Sequence, residues 1–222
     1  ATLENPFLTN PALVQYREDD LVVGAWLRGN GTPVYGVLEK EAGITAVPGR
    51  NETADGAVRF EGEGMLRYTI PEFPHRECTL LLWACPEGEP AGHIRQLFSA
   101  WARSMDDPLR VFLKDNALHV GIEGGDNASL PGEPIPFGAW THIAVVKNGA
   151  DLALYLNGGL RQQGKAPASL DQTTAANIAL GANPNYRGNE YYTGRLAEFA
   201  LYARAMTGEE IRRVYETGLK LE

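Results

Sequence analysis

The sequence is poor in cysteine and histidine and has no long apolar run. Its two cysteines, Cys78 and Cys85, belong to one apolar segment, where an extended chain separates them by about 23 Å. A disulfide cannot span that distance, so we expect two free thiols. The four histidines are scattered along the chain, which predicts no histidine-based metal site. A transmembrane helix, which needs about 20 consecutive apolar residues, is excluded.

Basic residues are also too few for a nucleic-acid partner. The chain has 20 Lys and Arg against 28 Asp and Glu, a net charge of -8, whereas phosphate binding needs clustered cations. The acidity is compatible with a sugar ligand. It is also the usual way in which a soluble domain avoids association, so it identifies no partner. The first residues lack the basic and apolar regions of a signal peptide, and the chain starts without Met. We expect a piece of a larger, multidomain protein.

Glycine and proline, by contrast, are plentiful and evenly spread, with 25 Gly and 14 Pro. This distribution is typical of many short strands joined by turns, and it disfavours a helical bundle. The clearest β-hairpin is residues 136–159, where two apolar runs flank Asn148-Gly149, a pair suited to a tight reversal. Asn157-Gly158 ends the return strand. Apolar residues occur on both faces of this hairpin, which places it inside a sheet packed on another layer.

The remaining elements follow from alternation and turn signals. Further strands are predicted at 21–26, 34–38, 54–64, 65–70, 78–84, 94–102, 109–113, 118–123, 177–181 and 194–203, with a run at 12–16 and a Gly-rich loop at 124–136. One helix is predicted after Thr207, which forms a capping box with Glu210. Gly218 ends this helix, which we expect to lie against the edge of the sheets.

Four motifs, at residues 55–64, 79–83, 140–158 and 194–211, resemble the laminin G-like, concanavalin A-like lectin and glucanase family. The resemblance implies an all-β fold, an antiparallel two-sheet jelly-roll β-sandwich with one short C-terminal helix. We expect a single domain over residues 1–222, with a less regular part at 1–53 and a family-like core at 54–218. In relatives, ligands lie on the concave face or at the loop rim. The resemblance also implies an extracellular, cell-surface or periplasmic location.

The sequence departs from this family where relatives hold a structural calcium ion. It has Ala197-Glu198 where the family usually has an Asp-Glu pair, and Leu27-Arg28 before the glycine run at 29–31, where relatives often have Asp. Calcium needs several oxygen ligands, including carboxylates. The sequence therefore favours no cofactor and weighs against the calcium site.

Catalytic residues are not predicted. Retaining glycosidases need two carboxylates about 5 to 5.5 Å apart on an inner strand, and the closely spaced glutamate pairs lie in turns or irregular segments, where a solvated role is expected. These pairs are Glu61 with Glu63, Glu87 with Glu89, and Glu39 with Glu41. His142 has no nucleophile placed beside it by sequence, so we interpret it as structural. We predict no enzyme.

The candidate ligand-binding residues form two groups. The first is the aromatic loop 183–192, in which tyrosine rings could stack on sugars and polar groups could orient hydroxyls. The second is Trp101 with Arg103, Asp106 and Asp107 in the loop that follows it. The predicted site residues are Tyr186, Arg187, Asn189, Tyr191, Tyr192, Trp101 and Asp106. The alternatives are that Tyr191, Tyr192 and Trp101 close the core and that Asp106 and Asp107 solvate a turn.

The sequence thus favours a non-catalytic binding module for a glycan. A protein-interaction or structural sandwich without a small ligand is the alternative, and a glycan-active enzyme is a second one. The expected partners are a glycan or protein ligand, with no nucleic acid and no membrane insertion.

Overall fold

The computed structural model describes residues 16–124, 126–186 and 188–221. Within these residues the chain forms fourteen strands and one helix. They are β1 (Leu21–Ala25), β2 (Val37–Val47), β3 (Ala57–Thr69), β4 (Glu77–Pro86), β5 (Ala91–Ser99), β6 (Asp106–Asp115), β7 (Ala117–Gly124), β8 (Asp126–Ser129), β9 (Glu133–Pro134), β10 (Thr141–Asn148), β11 (Asp151–Leu156), β12 (Gly159–Lys165), β13 (Asn177–Leu180), β14 (Gly194–Tyr202) and α1 (Gly208–Thr217).

All strand pairs are antiparallel and form two layers. The first layer has the order β12-β11-β10-β4-β14, with β1 and the first part of β3 on the far side of β14. The second layer runs from the last part of β3 through β13, β5, β6 and β7 to β8. β9 pairs with β7, and β2 follows β3 as an edge strand. This arrangement confirms the predicted jelly-roll-like β-sandwich.

Strand β3 belongs to both layers. Val58 to Phe60 pair with β14 in the first layer, whereas Leu66 to Thr69 pair with β13 in the second. Between these parts Gly62 has φ 57°, a conformation that glycine adopts without steric cost. The sequence predicted two strands around a glycine turn, and the structure has one bent strand.

The apolar core lies between the layers. Leu82 and Ile143 of the first layer and Phe98, Val111 and Val120 of the second belong to one buried cluster. In β10, the neighbouring residues Ala144 and Val146 belong to a separate cluster with Ile211 of α1. The alternation expected for the hairpin is therefore confirmed, since both of its faces are covered.

The two Asn-Gly pairs behave differently. At the β10–β11 turn Asn148 still pairs with Asp151, and Gly149 takes the positive φ of 55°. At the β11–β12 turn both Asn157 and Gly158 have positive φ, 51° and 76°, as in a type I′ turn. Asn157 Oδ1 also accepts a hydrogen bond of 2.9 Å from the backbone N–H of His142, which ties this turn to β10.

Helix α1 begins with the predicted capping box between Thr207 and Glu210 and ends at Gly218. It contacts the edge strand β12, as predicted, and it also reaches over the sheet. The helix covers the outer face of the first layer, where Ile211 packs with Leu81 and Ala144. Because β4 and β10 are apolar on both faces, their outer face needs a cover.

Three other predictions are corrected by the structure. The short strand at 34–38 is instead β2, an eleven-residue edge strand whose polar side chains obscured its alternation. The loop at 124–136 contains β8 and β9, and the unassigned segment after Gly158 is β12. Of the predicted run at 12–16, only Tyr16 lies within the described residues.

Both cysteines lie in β4, an interior strand, and are free and buried, as expected. Within the described part of the chain, no helix has the length and apolar character needed to span a membrane.

Candidate functional site

The outer face of the second layer carries a groove of about 420 Å³ over β6, β7 and β8. Val111 and Val120 point into the core. The residues next to them in the strands, Phe112 and His119, therefore point outward into this groove. Phe112 and His119 lie opposite each other in the β6–β7 ladder. Their rings stack with centroids 5.2 Å apart and an interplanar angle of 10°. The groove therefore has a flat aromatic floor.

Arg110 supplies the charged side of the groove. Its Nη2 donates to Glu123 Oε1 at 2.7 Å, and its guanidinium carbon lies 5.2 Å from the centroid of the Phe112 ring. Arg110 Nε also lies 3.3 Å from Asp107 Oδ2. The groove thus offers a cation and a carboxylate beside aromatic surface, which is the mixture that orients polar ring ligands.

Asp107 is fully buried, and neither carboxylate oxygen accepts a hydrogen bond from any described residue. Burial raises its pKa to about 7, an effect that Arg110 opposes and that Glu123 and Glu190 strengthen. The carboxyl group therefore keeps its proton to a much higher pH than an exposed aspartate does.

The loop 181–192 is fastened to the same outer face by a polar network. Glu190 Oε2 accepts hydrogen bonds from Gln96 Nε2 at 2.8 Å and from Asn183 Nδ2 at 2.6 Å. Asn183 in turn accepts a hydrogen bond from the hydroxyl of Ser99. These bonds fix the loop over β5 and β13.

Trp101 and Tyr186 meet where this loop crosses the end of β5, and we call the pair the aromatic corner. Their ring centroids are 5.6 Å apart at 46°, and Tyr186 is 47% exposed. Asn185 Nδ2 donates to the carbonyl of Trp101 at 3.0 Å, which holds the loop against the tryptophan. The structure thus joins one residue from each predicted group.

Backbone pairing connects the corner to the start of β6. Backbone hydrogen bonds from Ala100 to Leu109 and from Ala102 to Asp106 bracket Trp101. Trp101 therefore lies across from the segment 107–108, in which Asp107 pairs with Arg110 of the groove.

Other predicted site residues lie elsewhere. Tyr192 has 0% exposure and packs edge-to-face on Phe60 in the core. It therefore cannot contact a ligand, and the alternative that it closes the core is correct. Tyr191 is half-buried against Met65 and Ala179. Asn189 is exposed, and Arg187 lies outside the described residues.

Asp106 has a structural role. Its carboxylate accepts hydrogen bonds from Thr173 Oγ1 at 2.6 Å, Thr174 N at 2.8 Å and Thr174 Oγ1 at 2.7 Å. These bonds fasten the loop before β13 and leave the carboxylate little capacity for a ligand.

Sequence reasoning missed the groove residues Arg110, Phe112, His119 and Glu123. The signal was present, since Phe112 and His119 occupy outward positions between core residues of β6 and β7. Outward aromatic residues on two paired strands indicate a cross-strand aromatic pair on the outer face.

His142 is a buried structural residue. It is 1% exposed, and its ring lies 5.1 Å from Trp83 and 6.0 Å from Tyr215. Burial, with a smaller contribution from Arg50, lowers its pKa to about 4, so the ring is neutral at physiological pH.

The glutamates considered for catalysis are exposed or paired. Glu61 and Glu63 are exposed at the bend of β3. Glu87 binds Arg59 and Arg195.

The residues at the family's calcium position do not fit calcium. Glu198 Oε1 accepts a hydrogen bond of 3.0 Å from Arg50 Nε, so a guanidinium already neutralises this carboxylate. The neighbouring Ala197 and Leu27 are buried and apolar and offer no oxygen ligand from their side chains. Among the residues that the structure describes, no group of three acidic, His or Cys side chains could hold a metal ion.

A sequence model of the concanavalin A-like lectin/glucanase superfamily matches residues 60–212. The chain belongs to this superfamily. No curated protein sequence matches the chain, so the superfamily's solved structures provide the remaining comparison.

The solved structures that resemble this superfamily member include several toxin binding domains. The binding domain of botulinum neurotoxin serotype D superposes with a TM-score of 0.68 at 11% identity, covering 89% of this chain and 51% of that one. A structure of botulinum neurotoxin type C gives 0.69 at 13%, with 91% and 52% covered. The binding domain of Paraclostridial mosquitocidal protein 1 gives 0.64 at 19%, with 88% and 51% covered. The chain spans about half the length of these proteins, and at such identities the likeness shows the fold.

Proposed function

We propose that the chain is a non-catalytic carbohydrate-binding module whose site is the outer face of the second layer. The aromatic corner is the observation that carries this proposal. Tyr186 presents a half-exposed ring beside Trp101, and Asn189 is an exposed amide of the same loop. Aromatic rings stack on the apolar faces of sugars, while amides bond their hydroxyls.

The groove adds a second aromatic surface on the same layer. Its volume of about 420 Å³ lies within the range of small-molecule sites. Phe112 and His119 offer a second flat surface, and Arg110 and Glu123 offer a donor and an acceptor. A glycan lying from the corner into the groove would meet aromatic contacts at both ends.

The absence of catalysis is part of the proposal and rests on the positions of the acids. Asp107 has a pKa near neutrality but is fully buried, so it cannot reach a glycosidic bond. Glu87 is held between two arginines. A general acid and a nucleophile must both face the substrate, and these residues do not.

The similar structures agree with a binding role. The serotype D and mosquitocidal proteins are described as binding domains, and cell entry of botulinum neurotoxin type C is described as dependent upon interaction with two ganglioside molecules. By analogy, which is weaker than the argument from the site, we propose a glycan ligand, a place within a larger protein and an extracellular or cell-surface location.

A glycan array tests the proposal. We expect the labelled chain to bind at least one glycan, and Tyr186→Ala to reduce that binding about tenfold or more, since burial of an aromatic side chain under a ligand contributes about 1.5–3 kcal/mol. Leu160→Ala is the matched control, because Leu160 has the same 47% exposure but lies on β12 of the first layer. EDTA should change neither the binding nor the melting temperature.

Two results would contradict the proposal. If the folded chain bound no glycan, the protein-interaction alternative would replace it. If Tyr186→Ala and Leu160→Ala bound equally well, the site would lie elsewhere.

A further inference from the structure

A second pocket opens on the outer face of the first layer, on the opposite side of the molecule from the groove. Its volume is about 540 Å³. It is lined by Pro48, Gly49, Arg50, Glu52, Trp140 and Arg195. The pocket therefore combines two guanidinium groups, one indole ring and one carboxylate.

The two arginines are held in place but keep free donors. Arg50 Nε donates to Glu198, and its guanidinium carbon lies 4.4 Å from the Trp83 ring centroid. Its Nη1 and Nη2 donate to no other described residue. Arg195 stacks on Trp140 at 5.4 Å, pairs through Nε with Glu87 at 2.8 Å and donates through Nη2 to Cys85 Sγ at 3.1 Å, so Nη1 is its open donor. Fixed guanidinium groups with open N–H donors match the planar geometry of a carboxylate.

The arginines around the pocket share few carboxylate partners. Glu87 is shared between Arg195 and Arg59, whose Nε lies 2.9 Å from it. One carboxylate thus faces two guanidinium groups, and Glu52 on the pocket wall balances the remaining positive charge. Glu61 approaches Arg59 only to 4.0 Å and is itself 61% exposed, so solvent screens its contribution.

We propose that this pocket binds a sugar that carries a carboxylate, such as a uronic acid. The carboxylate is bound by Arg50 and Arg195, the sugar ring lies on Trp140, and Glu52 accepts a hydrogen bond from a ring hydroxyl. This proposal is independent of the site on the second layer, because none of its residues belongs to the aromatic corner or the groove.

Nuclear magnetic resonance of the four tryptophan indole N–H groups tests the proposal. The Trp140 signal is assigned by its loss in Trp140→Phe. Titration with sodium glucuronate at low ionic strength is expected to shift this signal, with an affinity at least about tenfold above that of glucose or acetate, since hydrogen bonds to charged groups contribute about 1.5–3 kcal/mol. The Trp101 signal reports separately on the aromatic corner.

Variants identify the residues that bind the carboxylate. Arg195→Gln is expected to weaken glucuronate binding about tenfold or more, and Tyr186→Ala is expected to leave it unchanged. Arg161→Gln is the control, because Arg161 is an exposed arginine on β12 outside the pocket. Amide spectra establish whether each variant is folded. If Arg195→Gln does not fold, the glucuronate titration of the wild-type chain tests the proposal.

The proposal is overturned if glucuronate leaves the Trp140 signal unmoved or if glucose or acetate binds as tightly as glucuronate. It is also overturned if folded Arg195→Gln binds glucuronate like the wild type.

Discussion

Asp107 shows what one buried carboxyl group does to stability. Its pKa rises from an ordinary value of 3.8 to about 7 in the folded chain. The folded state therefore keeps a proton between about pH 4 and pH 7 that the unfolded state has released. The contribution of Asp107 to the free energy of unfolding therefore falls as pH rises from about 4 to about 7, and it is constant above pH 7. The residue destabilises the fold at alkaline pH.

We predict that Asp107→Asn raises the free energy of unfolding at pH 8 and has little effect at pH 5. The pKa shift sets an upper limit of about 4 kcal/mol for the gain at pH 8. Urea unfolding of wild type and variant at both pH values measures it. Asp171→Asn, at an exposed aspartate, should have the same small effect at both. If Asp107→Asn instead lowered the free energy of unfolding at pH 8, the ion pair of Asp107 with Arg110 would outweigh the cost of burying the charge.

Individual residues of the candidate site were only partly predictable from sequence. Tyr186, Tyr191 and Tyr192 have the same chemistry and lie in one irregular loop, where no alternation distinguishes inward from outward side chains. The backbone bond from Tyr192 to Gly181 directs Tyr192 into the core, and no local pattern encodes that bond. The contact between Trp101 and Tyr186 likewise depends on tertiary pairing.

At the scale of elements, helix α1 covers an apolar sheet face, and its own sequence did not predict this. The capping box was predictable because it is local. The apolar outer face of β4 and β10, which the helix covers, follows only from the strand order. Losing the helix would expose this face to water.

We predict that Thr207→Ala lowers the free energy of unfolding by about 1 kcal/mol, because the N-cap bond to Glu210 N is lost. Thr217→Ala, which removes a bond to the Arg213 carbonyl at the end of the helix, is the control and should cost less. Chemical unfolding monitored by circular dichroism measures both. Equal losses for the two variants would show that the capping box contributes nothing specific.

Interior and edge strands differed in how well the sequence predicted them. The β10–β11 hairpin was predicted closely because buried strands need apolar residues and tight turns need Asn-Gly. The edge strand β2 was mostly missed, since polar residues on an edge are tolerated and even favoured. Short strands such as β8 and β9 exist through pairing with β7, and their own residues indicate a loop.

At the scale of the whole molecule, Cys78 and Cys85 report on global unfolding. Both lie in β4 between β10 and β14, with exposures of 1% and 0%, and burial raises the pKa of Cys78 to about 12. A reagent needs the exposed thiolate. It can therefore react only after the first layer opens.

We predict that a thiol reagent labels the native chain slowly and that labelling increases with urea in step with the loss of circular dichroism. A reducing agent should leave the melting temperature unchanged. Ser104→Cys supplies the control, because Ser104 is exposed and a thiol there should react at once. Rapid native labelling of the wild type would mean that β4 opens locally.

The bent strand β3 couples the two layers of the sandwich. Since β3 hydrogen-bonds to β14 at one end and to β13 at the other, neither layer can separate without breaking pairs that belong to both. Amide hydrogen exchange in the two layers should then be limited by one common opening event. A ligand bound on either face would slow exchange on the opposite face as well, through stabilisation of the shared folded state and without any change in shape.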